Sequence, residues 1–354
     1  MVLPVRNLPA LRGVLLALLA AALFGISTPL VQQFGAGLGA FSTAALLYAG
    51  AAAVGLLSRQ PIDREARLQR TDLPRLMAMA GFGAVIGPVA LAWGLQHTSG
   101  TSASLMLTLE ALFTAVLAWR LYRETMDSRV WSAMALLLAG GMVLVLDQGL
   151  RPNAGGAQLW GLMAVLLATA AWGVDNTLSR ALAERDPGQV VMFKALLGAT
   201  ATTGLALAFG EALPSAAAAL ALLAVGATGY GLSLRFYLLA QRAFGAARTG
   251  SVFAFAPFIG AALAVALGDR SASGWMALGS VLMLAGVVLH LAESHGHTHT
   301  HDLQEHEHAH SHDDGHHLHL HDSTPAGVHS HRHRHDAIAH VHAHVPDAHH
   351  GHRH

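Results

Sequence analysis

The chain of 354 residues contains no cysteine, a single lysine and few charged residues of any kind. The absence of cysteine excludes disulfide bonds, thiolate metal sites and catalysis by a thiol. Charged residues make up 12% of the chain, whereas soluble domains carry about 25%. The formal net charge is zero, so bulk charge gives no reason to expect nucleic acid as a partner. No enzyme motif stands out, and we expect neither an enzyme nor a prosthetic group.

Long apolar runs take the place of charge. Hydrophobic residues make up 53% of the chain, and a membrane-spanning helix needs about 20 mostly apolar residues. Ten runs meet this requirement, at about 11–33, 38–57, 74–95, 99–119, 130–147, 159–179, 189–209, 216–239, 246–267 and 273–292. The sequence therefore predicts an all-α membrane protein with ten transmembrane helices in a lipid bilayer.

The arginines predict the orientation of these helices. If the N-terminus is cytoplasmic, only Arg151 and Arg270 lie in external loops. The arginines that then lie inside are Arg6, Arg12, Arg59, Arg64, Arg67, Arg70, Arg75, Arg120, Arg123, Arg129, Arg180, Arg185, Arg242 and Arg248. Positive residues are enriched in cytoplasmic loops. We predict a multi-pass protein of the cell inner (plasma) membrane with both termini in the cytoplasm.

The apolar body contains an internal repeat. Residues Gly13 to Gly25 align with Gly161 to Gly173 at a shift of 148. Each unit has five predicted spans, and because five is odd, the second unit enters the membrane from the opposite side. Inverted repeats are typical of secondary transporters. We predict three parts, which are a first five-helix repeat at 11–147, a second at 159–292, and a C-terminal tail at 293–354.

Two segments of the body resemble a known family. The stretch Ala90-Leu-Ala-Trp-Gly-Leu-Gln-His-Thr-Ser-Gly-Thr-Ser-Ala-Ser-Leu105, followed by Leu109-Glu110-Ala111, is similar to the first repeat of the EamA-type drug/metabolite transporter superfamily. The stretch Tyr237-Leu-Leu-Ala-Gln-Arg-Ala-Phe-Gly-Ala-Ala-Arg-Thr-Gly250, followed by Ala256-Pro257-Phe258, is similar to its second repeat. The resemblance covers about residues 11–292. It implies ten helices, cytoplasmic termini and export of small solutes, but does not identify the solute.

Four ionisable residues fall within predicted spans, and each costs about 2.5–3.5 kcal/mol at a helix centre. They are Glu110, Asp175, Lys194 and Arg235, and Asn176 follows Asp175. One interpretation is a transport site in which Glu110 or Asp175 binds a cation or a coupling proton, with Lys194 and Arg235 as counter-charges. The other is a set of fixed ion pairs, such as Glu110 with Arg235, that only hold the helices together.

Three prolines fall in or near span interiors. Pro29, Pro88 and Pro257 each have a glycine close by in the sequence. Proline removes a backbone hydrogen bond and permits a kink, and broken helices line many transport sites. Kinks at these prolines fit a transport site, but proline kinks are also common in membrane bundles of other kinds.

The C-terminal tail holds 23 of the 25 histidines. Neutral imidazole suits nickel, cobalt, zinc and copper. The tail has no residues for an apolar core, so we expect it to be disordered without metal. The predicted metal ligands alternate with other residues and are His295, His297, His299, His301, His306, His308, His310, His312, His329, His331, His333, His335, His340, His342 and His344.

Together these features favour a proton-coupled exporter of divalent transition-metal cations, nickel or cobalt first, with a metal-binding cytoplasmic tail. Such a tail resembles those of nickel and cobalt resistance membrane proteins. Ni²⁺, Co²⁺ or Zn²⁺ is then a ligand of the tail or the substrate. Two alternatives stay open: an exporter of an organic metabolite or drug whose tail only senses or buffers metal, and a membrane-tethered metal store. A homodimer is also left open.

Overall fold

The structure, a computed structural model, describes residues 8–61, 64–122, 128–150, 156–244, 246–271, 273–291, 295–300, 304–310, 329–335 and 339–344. The α-helices are α1 (Leu8–Phe34), α2 (Ala40–Leu57), α3 (Leu73–Met79), α4 (Gly87–Leu95), α5 (Gly100–Met106), α6 (Glu110–Tyr122), α7 (Ser128–Leu150), α8 (Gly156–Ser179), α9 (Pro187–Ala208), α10 (Ala216–Val225), α11 (Ser233–Phe244), α12 (Ala246–Phe253), α13 (Ala256–Ala266) and α14 (Gly274–Leu291). Short 3-10 turns occupy Arg70–Asp72, Leu107–Leu109 and Arg180–Leu182.

The described helices form ten membrane-spanning rods. Nine are long and apolar enough to cross a bilayer, and the tenth is the shorter apolar run Gly274–Leu289. Several rods combine two helices, because a π-helical segment, Ala80–Ile86, joins α3 to α4, and a second, Gly226–Leu232, joins α10 to α11. For the described residues up to Leu291, the prediction of an all-α membrane protein with ten helices is confirmed.

Equivalent helices of the two halves pack against one another. Helix α2 packs against its counterpart α9, and α7 packs against its counterpart α14. Helix α1 of the first half packs against α11 of the second, and α8 of the second packs against α4 of the first. Each half thus covers apolar surface of the other, as the predicted inverted repeat requires.

The three prolines lie at different kinds of position. Pro88 is in the first turn of α4, directly after the π-helical segment, and Pro257 is in the first turn of α13. Proline is tolerated in a first turn because its ring already holds φ near the helical value. Pro29 lies inside α1. The helical geometry therefore changes at Pro88 and a new helix begins at Pro257, whereas Pro29 lies within one continuous helix.

The described tail residues form four short strands, β1 (His295–Thr300), β2 (Gln304–His310), β3 (His329–His335) and β4 (Ala339–His344). Strand β1 pairs antiparallel with β4, and β2 pairs antiparallel with β3. The alternation of histidine with other residues has the period of a β-strand. A two-stranded ladder has marginal stability in water, so the absence of a stable fold without metal stays a prediction.

A network of ion pairs and hydrogen bonds links the loop segments at the arginine-rich end of the bundle, at 58–61, 64–69 and 180–186. The Arg242 guanidinium donates to both carboxylate oxygens of Glu65, at 2.8 and 2.9 Å, and to the carbonyls of Ala183 and Arg185. Burial raises the pKa of the Glu65 carboxyl, although its ion pair with Arg242 acts in the opposite direction. Arg185 donates to Asp72 at 2.9 Å. One arginine on α11 therefore ties together loops from both halves.

We predict that Arg242→Met lowers the free energy of unfolding by about 2–3 kcal/mol, because it leaves Glu65 and two carbonyls without their donor. The measurement is unfolding of the purified protein by titration with sodium dodecyl sulfate in mixed micelles. The control is Arg75→Met, which removes an exposed arginine at the same end. Equal stability of the two variants would contradict the role given to Arg242.

Candidate functional site

A cavity of about 50 Å³ lies between the two halves. This volume holds a few water molecules or the polar group of a small solute. Helices of both repeats contribute to its wall. The lining residues are Phe24, Tyr48, Glu110, Trp172, Asp175, Asn176, Lys194, Gly229, Tyr230, Ser233, Leu234, Tyr237 and Phe253.

An ion pair between Lys194 and Asp175 forms one side of this cavity. The Lys194 ammonium on α9 donates to Oδ2 of Asp175 on α8, and both side chains are buried, with 3% and 5% of their surface exposed. The second oxygen, Oδ1, is buried without a hydrogen-bond partner among the described residues. A buried charge is costly unless it is paired, so Asp175 retains one free acceptor beside the cavity.

The carboxylate of Glu110 lies across the same cavity. Glu110 begins α6, directly after the 3-10 turn Leu107–Leu109, and accepts a hydrogen bond from the amide of Asn176 on α8. Its hydrogen-bond partner is therefore a neutral amide rather than a cation. Glu110 is half-buried, whereas Asp175 is buried. The two carboxylates thus differ in their partners, because Asp175 has the neighbouring ammonium.

Aromatic rings form the rest of the wall. Phe24 on α1 contacts Trp172 at 5.4 Å, Tyr230 at 5.9 Å and Phe253 at 5.4 Å between ring centroids. Tyr48 meets Tyr230 edge to face at 5.6 Å. The Tyr230 hydroxyl is buried with no hydrogen-bond partner in the described part of the chain. The cavity therefore combines aromatic faces with a few unsatisfied polar atoms.

Two glycines let the polar side chains approach the π-helical segments. Each is the fourth residue of its segment, Gly83 in the first half and Gly229 in the second. A Cβ on Gly83 would lie 2.3 Å from Cγ of Asp175, and a Cβ on Gly229 would lie 2.4 Å from Cβ of Ser27. Ser27 follows Gly25 by two residues, as Asp175 follows Gly173. The same close contact is thus built twice, with a carboxylate in one copy and a hydroxyl in the other.

The structure brings four of the five predicted site residues together. Glu110, Asp175, Asn176 and Lys194 line the cavity. Arg235 lies on α11 outside the lining, and its Nε is buried without a hydrogen-bond partner among the described residues. The suggested pair of Glu110 with Arg235 is not formed in the described structure; Glu110 bonds Asn176 instead. The functional roles of all five residues stay predictions.

The tail histidines are described less completely. His301 and His312 lie outside the described residues, and the others predicted as ligands lie on β1 to β4. Histidines stand opposite one another in both ladders, for example His297 opposite His342 and His308 opposite His331. Among the described residues as a whole, no group of three or more His, Cys, Asp or Glu is placed to hold a metal ion.

Sequence analysis missed the aromatic wall. Phe24, Tyr48, Trp172 and Tyr230 lie in apolar runs, where an aromatic residue adds no contrast in polarity. The nearest signal is the repeat itself, since Phe24 aligns with Trp172. Gly83 was also missed, because a glycine in a membrane helix is more often a packing residue than part of a site.

Two inverted repeats of membrane helices, with charged side chains in a cavity at their interface, are an arrangement typical of membrane transporters. The class is therefore that of multi-pass membrane transporters. Comparison with family models gives the same answer in each half: the EamA-like transporter family matches residues 11–146 and 159–292. The chain belongs to the EamA-like transporter family. Because members of this family are transporters, the prediction that the chain is not an enzyme is confirmed.

Individual relatives add little about the solute. An uncharacterized transporter of Methanothermobacter thermautotrophicus is 27% identical over 235 residues, which cover 64% of this chain and 67% of the relative. A crystal structure described only as that of a protein shares 20% sequence identity. Its match covers 80% of this chain and 96% of the other, with a TM-score of 0.55. That likeness shows the fold alone.

We predict that Gly83→Ala lowers the free energy of unfolding by about 1–3 kcal/mol, since the added methyl overlaps the Asp175 carboxylate. The matched control is Gly81→Ala in the same π-helical segment, where a Cβ meets nothing within 4 Å. That control should be neutral or slightly stabilising, because alanine favours a helix over glycine. Detergent titration of both proteins checks this, and a loss shared equally by the two would disprove the contact.

Proposed function

We propose that the chain is a secondary transporter that exports a small organic solute with one positively charged group in exchange for protons. The observation that carries this proposal is the composition of the cavity. It is lined by two carboxylates, one ammonium and several aromatic rings. The following steps argue the charge of the solute, its recognition and the coupling.

The charge of the cavity favours a monovalent cation. With Glu110 and Asp175 ionised and Lys194 protonated, the formal charge is −1, so one added positive charge neutralises the site. Unit charges 4 Å apart interact by about 4 kcal/mol at an effective dielectric constant of 20. A divalent ion would leave the site with a net positive charge and would meet the Lys194 ammonium at close range.

The polar and aromatic groups favour an organic cation over a bare one. An ammonium group donates hydrogen bonds to carboxylate oxygens such as Oδ1 of Asp175, which has no partner among the described residues. Aromatic faces attract a cation by about 0.5–2 kcal/mol and accept apolar carbon atoms as well. Tyr48, Trp172 and Tyr230 supply such faces.

Coupling follows if the solute and a proton compete for Glu110. The Glu110 carboxylate binds either the cationic group of the solute or a proton. Each reorientation of the transporter therefore carries only one of the two across the membrane. Alternating access of a site between two inverted repeats then moves them in opposite directions. Export from the cytoplasm is part of the proposal and rests on the predicted orientation, in which the tail is cytoplasmic.

A divalent transition metal such as nickel or cobalt is the second candidate substrate. The observation that favours it is the tail, which holds 23 of the 25 histidines. The lack of a three-ligand group among the described residues, and the presence of Lys194 in the cavity, favour the organic solute at the central site. A tail that only senses or buffers metal agrees with that choice.

We predict that Glu110→Gln reduces proton-driven transport of radiolabelled tyramine into proteoliposomes at least about tenfold, because the cavity loses its negative charge and its proton site. Pyranine inside the vesicles reports the accompanying proton movement. Glu211→Gln is the control, since Glu211 binds the N-terminus of α2 far from the cavity lining. Tyramine is the first probe, and choline and ethanolamine extend the set of monocations. Transport of these monocations that is equal in the two variants would contradict the coupling role.

The metal candidate is tested with Ni²⁺ and Co²⁺ in the same vesicles. We expect the full chain to bind several nickel ions above about pH 6 and to lose them below it, when imidazoles protonate. Deletion of residues 295–354 should remove this binding and leave tyramine transport intact. Proton-driven nickel transport that needs Glu110, without any transport of monocations, would replace the organic solute by the metal.

A further inference from the structure

The backbone carbonyl of Gly83 has two side-chain donors in place of a backbone donor. It accepts hydrogen bonds from the hydroxyl of Tyr48 and from Nε1 of Trp172, the latter at 3.0 Å. Tyr48 lies on α2 and Trp172 on α8, so one carbonyl joins helices of both halves. Both side chains are buried and both line the cavity.

This carbonyl receives no hydrogen bond from Gly87 or residue 88 for two reasons, which are the π-helical geometry and the proline at position 88. In a π-helical turn an N–H bonds the carbonyl five residues earlier rather than four. Gly87 accordingly donates to Phe82, and not to Gly83. The next donor in register would be the N–H of residue 88, but residue 88 is proline and has none. Neither backbone position that could satisfy Gly83 therefore does so.

The second half lacks this arrangement. Its π-helical segment, Gly226–Leu232, is followed by Ser233 and Leu234, and both have an N–H group. Ser233 donates to the carbonyls of Thr228 and Tyr230. A π-helical segment therefore forms at this point in the repeat without a proline. Pro88 is not needed to make the segment, which separates its role from the general architecture.

Space for the indole is provided next to the proline. A Cβ on Gly87 would lie 2.7 Å from Nε1 of Trp172. The pair Gly87-Pro88 thus removes a methyl group that would displace the ring and an N–H that would compete for its acceptor. The missing methyl group and the missing N–H therefore both favour the hydrogen bond from Nε1 of Trp172 to the Gly83 carbonyl.

We propose that Pro88 is a positioning residue of the cavity: by withholding an N–H from the Gly83 carbonyl, it keeps that carbonyl for Tyr48 and Trp172 and so fixes the aromatic wall. The positioning itself depends only on the geometry above. Its effect on transport rests on the proposed function.

The first test measures the position of Trp172 directly. In full-length protein that keeps Trp172 as its single tryptophan, the variants Pro88→Ala and Pro88→Ser each restore an N–H at position 88. We expect acrylamide quenching of Trp172 fluorescence to increase in both, because the new N–H competes for the carbonyl. Pro74→Ala removes an exposed proline from the start of the same rod and should leave quenching unchanged.

The second test measures transport of radiolabelled tyramine by proteoliposomes. We expect Pro88→Ala to raise KM about threefold to tenfold, the effect of losing one or two hydrogen bonds, with little change in kcat. Tyr48→Phe removes one of the same bonds. The two changes should therefore combine to less than the product of their separate effects on KM, as expected of residues that act through one group.

The proposal is overturned if both proline variants fold and leave Trp172 quenching unchanged, or if the KM effects of Pro88→Ala and Tyr48→Phe simply multiply. If Pro88→Ala does not fold, Pro88→Ser decides by the same quenching measurement. Absence of tyramine transport in the unmodified protein would count against the proposed function, while the quenching result would still decide the role of Pro88.

Discussion

The ion pair between Asp175 and Lys194 determines how the centre of this bundle is built. No water in the hydrocarbon region can solvate a carboxylate or an ammonium, so each charge needs a partner inside the protein. The Lys194 side chain meets that need by reaching from α9 to Asp175 on α8, and the Asp175 carboxylate occupies the space that a side chain on Gly83 would fill. The adjoining aromatic wall uses the carbonyl of that glycine. The ion pair, the backbone of Gly83 and the aromatic rings are therefore in contact with one another and depend on one another for their positions.

The duplicated architecture supplies the frame, and the differences between the halves supply the chemistry. Both halves have a π-helical segment with a glycine at its fourth residue, and both receive a side chain from the first helix of a repeat against that glycine. Only one copy has the carboxylate, and only one copy is followed by a proline. A symmetric scaffold thus encloses an asymmetric site.

The sequence contained enough information for the scaffold and for the charged part of the site. Apolar length identifies the spans, and Glu110, Asp175 and Lys194 stand out because an ionisable residue in a membrane is costly. The aromatic residues could not be found in this way, since Tyr48 and Trp172 do not contrast with their apolar neighbours. The partner of each charged side chain could not be predicted either. Glu110 bonds Asn176 rather than Arg235, and this choice depends on how the helices are rotated about their axes. The π-helical segments have no periodicity of their own to recognise.

The contact between Ser27 and Gly229 bears on the selectivity of the cavity for solutes. It is the twin of the contact between Asp175 and Gly83, already shaped to hold a short polar side chain against the helix backbone. Ser27 contacts Gly229, which lines the cavity, so a charged side chain at position 27 would lie beside the cavity wall. The two contacts occupy equivalent places in the repeat, so the charge beside the cavity depends on a single residue type at each of them and not on the fold.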